Sequence, residues 1–127
     1  MAKWSNDTGL DQALNWYADC DLLCVCSQQP ATYAEATSTY KLADQALTPG
    51  HGNGDFTVGN GDVSGRKLTV GAQSGETVDT SGTATHIALV KSGDTTLRYV
   101  TTCGSQALTA GNPFTTNAFD IELADPT

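Results

Sequence analysis

The sequence predicts a mostly-β fold: an antiparallel β-sandwich or jelly-roll-like body behind a short N-terminal α-helix. Three observations predict it. Thirteen glycines in 127 residues, with abundant Thr, Ser, Asn and Asp, are the composition of short strands joined by tight turns. Beyond residue 56 apolar and polar residues alternate repeatedly, which is the period of a strand with two unlike faces. Only the first twenty residues carry a convincing helical period. At this length a chain buries enough surface for one modest core, so residues 1–127 read as a single domain, with a helical segment over 1–20 and a β-sandwich body over 21–127.

The helix is expected to start near Asp7 or Thr8, either of which can cap it, because Leu10, Ala13, Leu14 and Tyr17 recur at three-to-four spacing. Residues 21–27 are apolar on both faces and stop before Pro30, as a central, doubly covered strand should. Thr32 followed by Glu35 is a capping signature, but Thr37, Ser38 and Thr39 form helix poorly, so only a short helix over 33–37 is expected. A crossover segment then runs to Leu47. Residues 49–62 hold the tetrapeptide Gly-Asn-Gly-Asp twice, at 52–55 and 59–62, and both copies read as turns around a short arm containing Phe56 and Val58. Strands follow at 66–70, 77–79, 83–91 and 95–102, the last two joined as a hairpin through Ser92-Gly93-Asp94. Gly111-Asn112-Pro113 is a turn, and Phe119, Ile121 and Leu123 alternate with Asp120 and Glu122 in a final strand with one wet, acidic face.

Fourteen acidic against six basic side chains give a formal charge of -8. That charge repels phosphates and anionic lipid headgroups, so neither direct nucleic-acid binding nor membrane association is expected. No apolar run reaches about 18 residues, and the opening Met1-Ala2-Lys3-Trp4-Ser5 lacks a signal peptide's apolar stretch, so synthesis in a cytoplasm is expected.

The residues with most chemistry are Cys20, Cys24, Cys26 and Cys103. Cys24 and Cys26 sit two apart on a strand and point to one face; alternate residues of a strand lie too far apart for a relaxed disulfide with each other. Three readings stand: small buried hydrophobes, a structural disulfide formed across strands or between chains, and a metal site, which the spacing Cys20-x-x-x-Cys24-x-Cys26 fits poorly. No metal ligand is assigned and no cofactor is expected. His51 lies in the glycine-rich loop and His86 in mid-strand, with no nucleophile motif around any serine, so no catalytic residue is assigned and the chain is not expected to be an enzyme. Asp120 and Glu122 read as a solvated face rather than a carboxylate pair. The doubled Gly-Asn-Gly-Asp matches neither the EF-hand loop nor a nine-residue calcium repeat, and reads as turn chemistry. Trp4 and Trp16 are the candidate docking anchors, with ordinary core packing as the other reading.

The stretch from Asp79 through Gly-Thr-Ala-Thr-His86 to Lys91, then Leu97-Arg-Tyr-Val-Thr-Thr102, Ser105-Gln-Ala-Leu-Thr-Ala-Gly-Asn112 and Ala118-Phe-Asp-Ile-Glu-Leu123, resembles small structural proteins of tailed bacteriophages. The first helix and Gln29-Pro-Ala-Thr-Tyr-Ala-Glu-Ala36 resemble the amino-terminal part of the same group. The resemblance implies a virion component made in a host cytoplasm, present in many copies as a homo-oligomer, and partnered by the major capsid protein or other virion proteins. Capsid decoration is the leading expectation; a tail, neck or fibre component and a glycan- or receptor-binding module are the alternatives. Cysteines reduced in the cytoplasm could bridge after release.

Overall fold

The computed structural model of the chain describes residues 4–125. Over these residues it contains one α-helix, one π-helical turn (Glu35–Thr39) and nine β-strands, and every strand pairing is antiparallel. The mostly-β class with a short N-terminal helix is therefore the fold of this protein. The chain divides into two compact units, one built from residues 4–19, Thr48–Ala72 and 117–125, the other from Cys20–Leu47 and Gln73–Thr116.

In the first unit, helix α1 (Asp7–Ala18) packs on a three-stranded sheet of order β3 (Phe56–Asn60), β4 (Arg66–Val70), β9 (Phe119–Leu123). The cap is Asn6, whose Oδ1 accepts the Thr8 amide at 2.8 Å. Asp7 is already helical and serves instead as the acid of the first turn, where it meets the positive helix end. Leu14, Phe56, Leu68 and Val70 are fully buried and form the apolar part of this unit. Arg66 grips the helix from the sheet: its Nε donates to Asp11 Oδ1 at 2.7 Å and its Nη2 to Asp11 Oδ2 at 3.3 Å. A two-point guanidinium–carboxylate contact fixes orientation as well as distance. Gly59 and Asn60, expected in a turn, belong to β3, because Asn60 pairs with Arg66 and the reversal needs only residues 61–65.

The second unit holds a four-stranded sheet of order β2 (Lys41–Ala46), β1 (Leu22–Cys26), β6 (Gly82–Lys91), β7 (Thr96–Leu108), and a ribbon of β5 (Gln73–Thr77) with β8 (Pro113–Thr116). β1 is central, as its two apolar faces predict. The segment expected as a crossover is instead β2: it lacks alternation because Leu42 and Ala43 are both buried, and its pairing with β1 recruits it. The strand expected at 77–79 lies earlier, since the Val78 amide turns to Asn112 O at 2.9 Å and the Asp79 amide to Leu42 O at 2.8 Å. Pro113 opens β8, a first-residue position where its missing N–H removes no ladder bond. The short helix expected at 33–37 is present and runs on to Thr39: residues 33–34 are α-helical and Glu35–Thr39 continue as a π-turn, with Thr32 Oγ1 accepting the Glu35 amide at 3.1 Å and Glu35 Oε1 accepting the Ala31 amide at 2.9 Å. Thr32 thus caps the Glu35 amide as the sequence signature announces, while the Glu35 carboxylate reaches one residue further back than in a capping box, to the Ala31 amide.

Gly65 sets the β3–β4 turn. Its φ is +71°, and a Cβ placed there would lie 2.0 Å from the Leu123 carbonyl oxygen. Gly65→Ala therefore combines left-handed backbone strain with a backbone collision, and is expected to destabilise the protein by more than about 1 kcal/mol, read as a lower urea midpoint at unchanged m-value.

Candidate functional site

Three of the residues singled out for chemistry, Cys24, Cys26 and His86, lie on one face of the four-stranded sheet. Strand register places Cys24 beside Ala88 and Cys26 beside His86, while Ala88 faces Val100 and His86 faces Thr102 on the next strand. Directly opposed residues share a face, so Cys24, Cys26, His86 and Ala88 look the same way. The π-turn lies over this face: Ala36 packs among Cys24, Cys26, Ala88 and Val90, with Tyr33, Tyr40, Leu22, Leu97 and Val100 around them. Small side chains are what the close approach requires. The Cys26 Sγ donates a weak bond to the Ala36 carbonyl at 3.6 Å.

None of the four cysteines is in a disulfide; Cys20, Cys24 and Cys26 are buried, and Cys103 is partly exposed. The disulfide considered from sequence is thus not formed within the chain. Cys26 and the neighbourhood of Cys103 are separated by the whole width of β6, since Cys26 pairs with His86 and His86 with Thr102. Two strand spacings are about 9–10 Å, beyond the Cα separation a disulfide bridges without backbone movement.

Burial sets the reactivity of these thiols. Desolvation, reinforced by the charges of Cys26 and Asp44, pushes the Cys24 thiol up to about 12, and desolvation with the influence of Cys103 pushes Cys26 up to about 11. Cys103 is also raised, again through burial. A nucleophilic cysteine needs the opposite shift. The arrangement is a packing device, and Cys24 and Cys26 act in it as small hydrophobes. His86 is flanked by Cys26 and Thr102 in the ladder, and its Nδ1 lies 2.8 Å from Thr85 Oγ1. That hydroxyl also donates to the Ser27 carbonyl at 3.0 Å, which ties β6 to the end of β1.

Asp21, which the sequence did not single out, holds the strand ends together. Its amide donates to Val90 O at 3.1 Å, its carbonyl accepts the Leu47 amide at 2.9 Å, and its carboxylate accepts both the Ser92 amide at 2.9 Å and the Ser92 hydroxyl. Partial burial raises this carboxyl, but the Ser92 hydrogen bonds outweigh it and hold the group below its ordinary range. Only its position, just ahead of a strand and opposite a hairpin turn, makes it a clasp, and position in space is not written locally.

The acidic face of the last strand is exposed, as expected, yet it is engaged. Asp120 accepts from Thr69 Oγ1 at 2.8 Å and from Lys67 Nζ at 3.4 Å, and Glu122 Oε1 accepts the Asp62 amide at 2.8 Å. In the first glycine-rich copy, the Asn53 carboxamide bonds the carbonyls of Thr48, Pro49 and Gly50 and the amides of Asp55 and Phe56. This is turn chemistry of the kind Asn supplies. His51 lies in the same exposed loop. Among the described residues, no group of three or more His, Cys, Asp or Glu side chains is arranged to hold a metal ion.

Trp4 and Trp16 do not pack in the core: they are 71% and 47% exposed, with Trp16 set edge-on against Tyr17 at a ring separation of 5.1 Å. No described helix is long and apolar enough to cross a membrane. Comparison with protein families, curated proteins and solved structures finds no match.

Two measurements check the assignment of the thiols. In native protein at pH 7.5 an aromatic disulfide reagent should titrate one thiol, Cys103, and all four after denaturation. Folded-state values raised above an ordinary thiol value of 9.0 also make unfolding favourable at high pH, because the unfolded chain releases those protons first. The stabilisation is complete below about pH 9 and is lost between about 9 and 12; unfolding curves of the wild type and of a Cys24→Ala/Cys26→Ala variant should converge as pH rises through that window.

Proposed function

We propose that this chain is a structural protein of a tailed-bacteriophage virion, foremost a capsid decoration or head-stabilising subunit held by contacts with copies of itself and with the major capsid protein. The observation that carries the reading is the exposure of Trp4 and Trp16 on the amino-terminal segment of a chain with net charge -8. Indole left in water forgoes roughly 25 cal/mol per Å² of apolar surface, and tryptophan is the residue most enriched where interfaces concentrate their binding energy. The resemblance of residues 79–123 to phage structural proteins supports the same reading. So does the charge, which suits an outer position and opposes one facing packaged DNA.

The same features serve a tail, neck or fibre component, and position on the particle separates the two. Gold-labelled antibody against the protein should decorate the head of intact particles evenly. Label confined to the neck or tail moves the assignment there, and purified particles without label overturn the virion reading. In a reconstitution on particles lacking the protein, Trp4→Ala/Trp16→Ala should weaken attachment at least about tenfold at unchanged thermal midpoint.

A further inference from the structure

A sheet edge presents backbone N–H and C=O groups that only another extended strand satisfies fully, so folded chains guard their edges with charges, prolines or covering segments. Most outer edges here are guarded or short. β2 carries Lys41 and Asp44, and its Leu42 carbonyl accepts the amides of Asp79 and Thr80. β9 carries Asp120 and Glu122, β5 carries Glu76, β8 opens with Pro113, and β3 is five residues long with Asp55 just before it and Asp62 just after.

β7 is different. At thirteen residues it is the longest strand described, and it forms the outer edge of its sheet. Residues 99–108, Tyr-Val-Thr-Thr-Cys-Gly-Ser-Gln-Ala-Leu, contain no charge and no proline. Thr102, Gly104, Ser105, Gln106 and Ala107 are exposed. The ladder to β6 is interrupted among them: His86 pairs with Thr102 and Ala84 with Gln106, so Cys103, Gly104 and Ser105 face Thr85 alone. Among the described residues, no backbone bond beyond strand ladders involves residues 101–108.

We infer that the free edge of β7 pairs antiparallel with β7 of a second copy of this chain, about a two-fold axis crossing residues 100–106. Charge selects the occupant. A two-fold contact sets each surface against itself, so in a chain of charge -8 most contacts of that kind bring carboxylates together. The β7 edge brings hydroxyls and a carboxamide together instead, groups that both donate and accept and so complement themselves. Over residues 99–108 it also offers no acid to a basic partner and no base to an acidic one. This inference stands on the edge itself and is independent of a place in a virion.

Sedimentation velocity of the purified full chain over a concentration series tests it. The wild type should show a reversible monomer–dimer equilibrium. Thr102→Lys/Gln106→Lys brings net charge from -8 to -6, which by bulk repulsion alone would favour association. Across the axis, however, it sets lysine near lysine, and the dissociation constant should rise about tenfold or more. Thr102→Glu/Gln106→Glu should be impaired likewise, and an equimolar mixture of the two variants should regain dimer. Wild type that stays monomeric to millimolar concentration overturns the inference. So do variants that associate as the wild type does, or a mixture that gains nothing. Unchanged thermal midpoints of the separate variants show that folding is intact, and antibody labelling of particles reads the virion proposal separately.

Discussion

A strand covered on both faces must find every backbone partner inside the protein, and β1 meets that demand by lying between β2 and β6. The rest of the second unit depends on this placement. Leu23, Cys24, Val25 and Cys26 are all buried, so side chains of both faces need cover as well. On one face the cover is the π-turn, whose Ala36 comes close only because Cys24, Cys26 and Ala88 are small. At the strand's start Asp21 ties the β2 end and the β6–β7 turn to the same point. The cysteines are explained by this geometry: a larger residue would push the π-turn away, and alanine would leave a cavity where sulfur now packs.

Acids dominate the composition, and the structure uses several as ties rather than as a diffuse solubilising coat. Asp11 holds Arg66 between helix and sheet, Lys67 spans Asp62 and Asp120, and Glu122 accepts the Asp62 amide. Exposed pairs of this kind contribute little individually, about 0–1 kcal/mol each. Their larger consequence is for association. The few cations are largely committed within the chain, so its surface meets a second copy with like charge except where carboxylates are absent. The edge of β7 over residues 99–108 is such a place and offers backbone hydrogen bonds, while the exposed tryptophans of the amino-terminal segment offer apolar area.

Alternation made β4, β6, the first half of β7 and β9 readable, because each carries one buried and one wetter face or lies beside turn residues of fixed chemistry. β1 was readable for the opposite reason, an unbroken apolar run ended before a proline. β5 was expected later in the chain than it lies, and the strands that escaped altogether were β2 and β8. Lys41–Ala46 has no period, since its burial follows from Leu42 and Ala43 in succession, and Pro113–Thr116 hides behind a residue that ordinarily marks a turn. Both exist because a neighbouring strand offers them hydrogen bonds, and that offer is tertiary. The site residues divide in the same way. The common face of Cys24 and Cys26 follows from their spacing, whereas their distance from Cys103 and the clasp at Asp21 arise between segments far apart in the chain.

By itself, then, the sequence determined the class of fold, the place of the helix and of the central strand, the turn chemistry of the glycine-rich loop and the sign of the surface charge, because each is a property of neighbours along the chain. The tertiary structure decided which edges were left open, which acids became ties, and whether four thiols were partners or packing. Those outcomes depend on strand order and on who covers whom. Strand order puts β6 between Cys26 and β7, and burial then holds the thiols protonated; no local pattern encodes either.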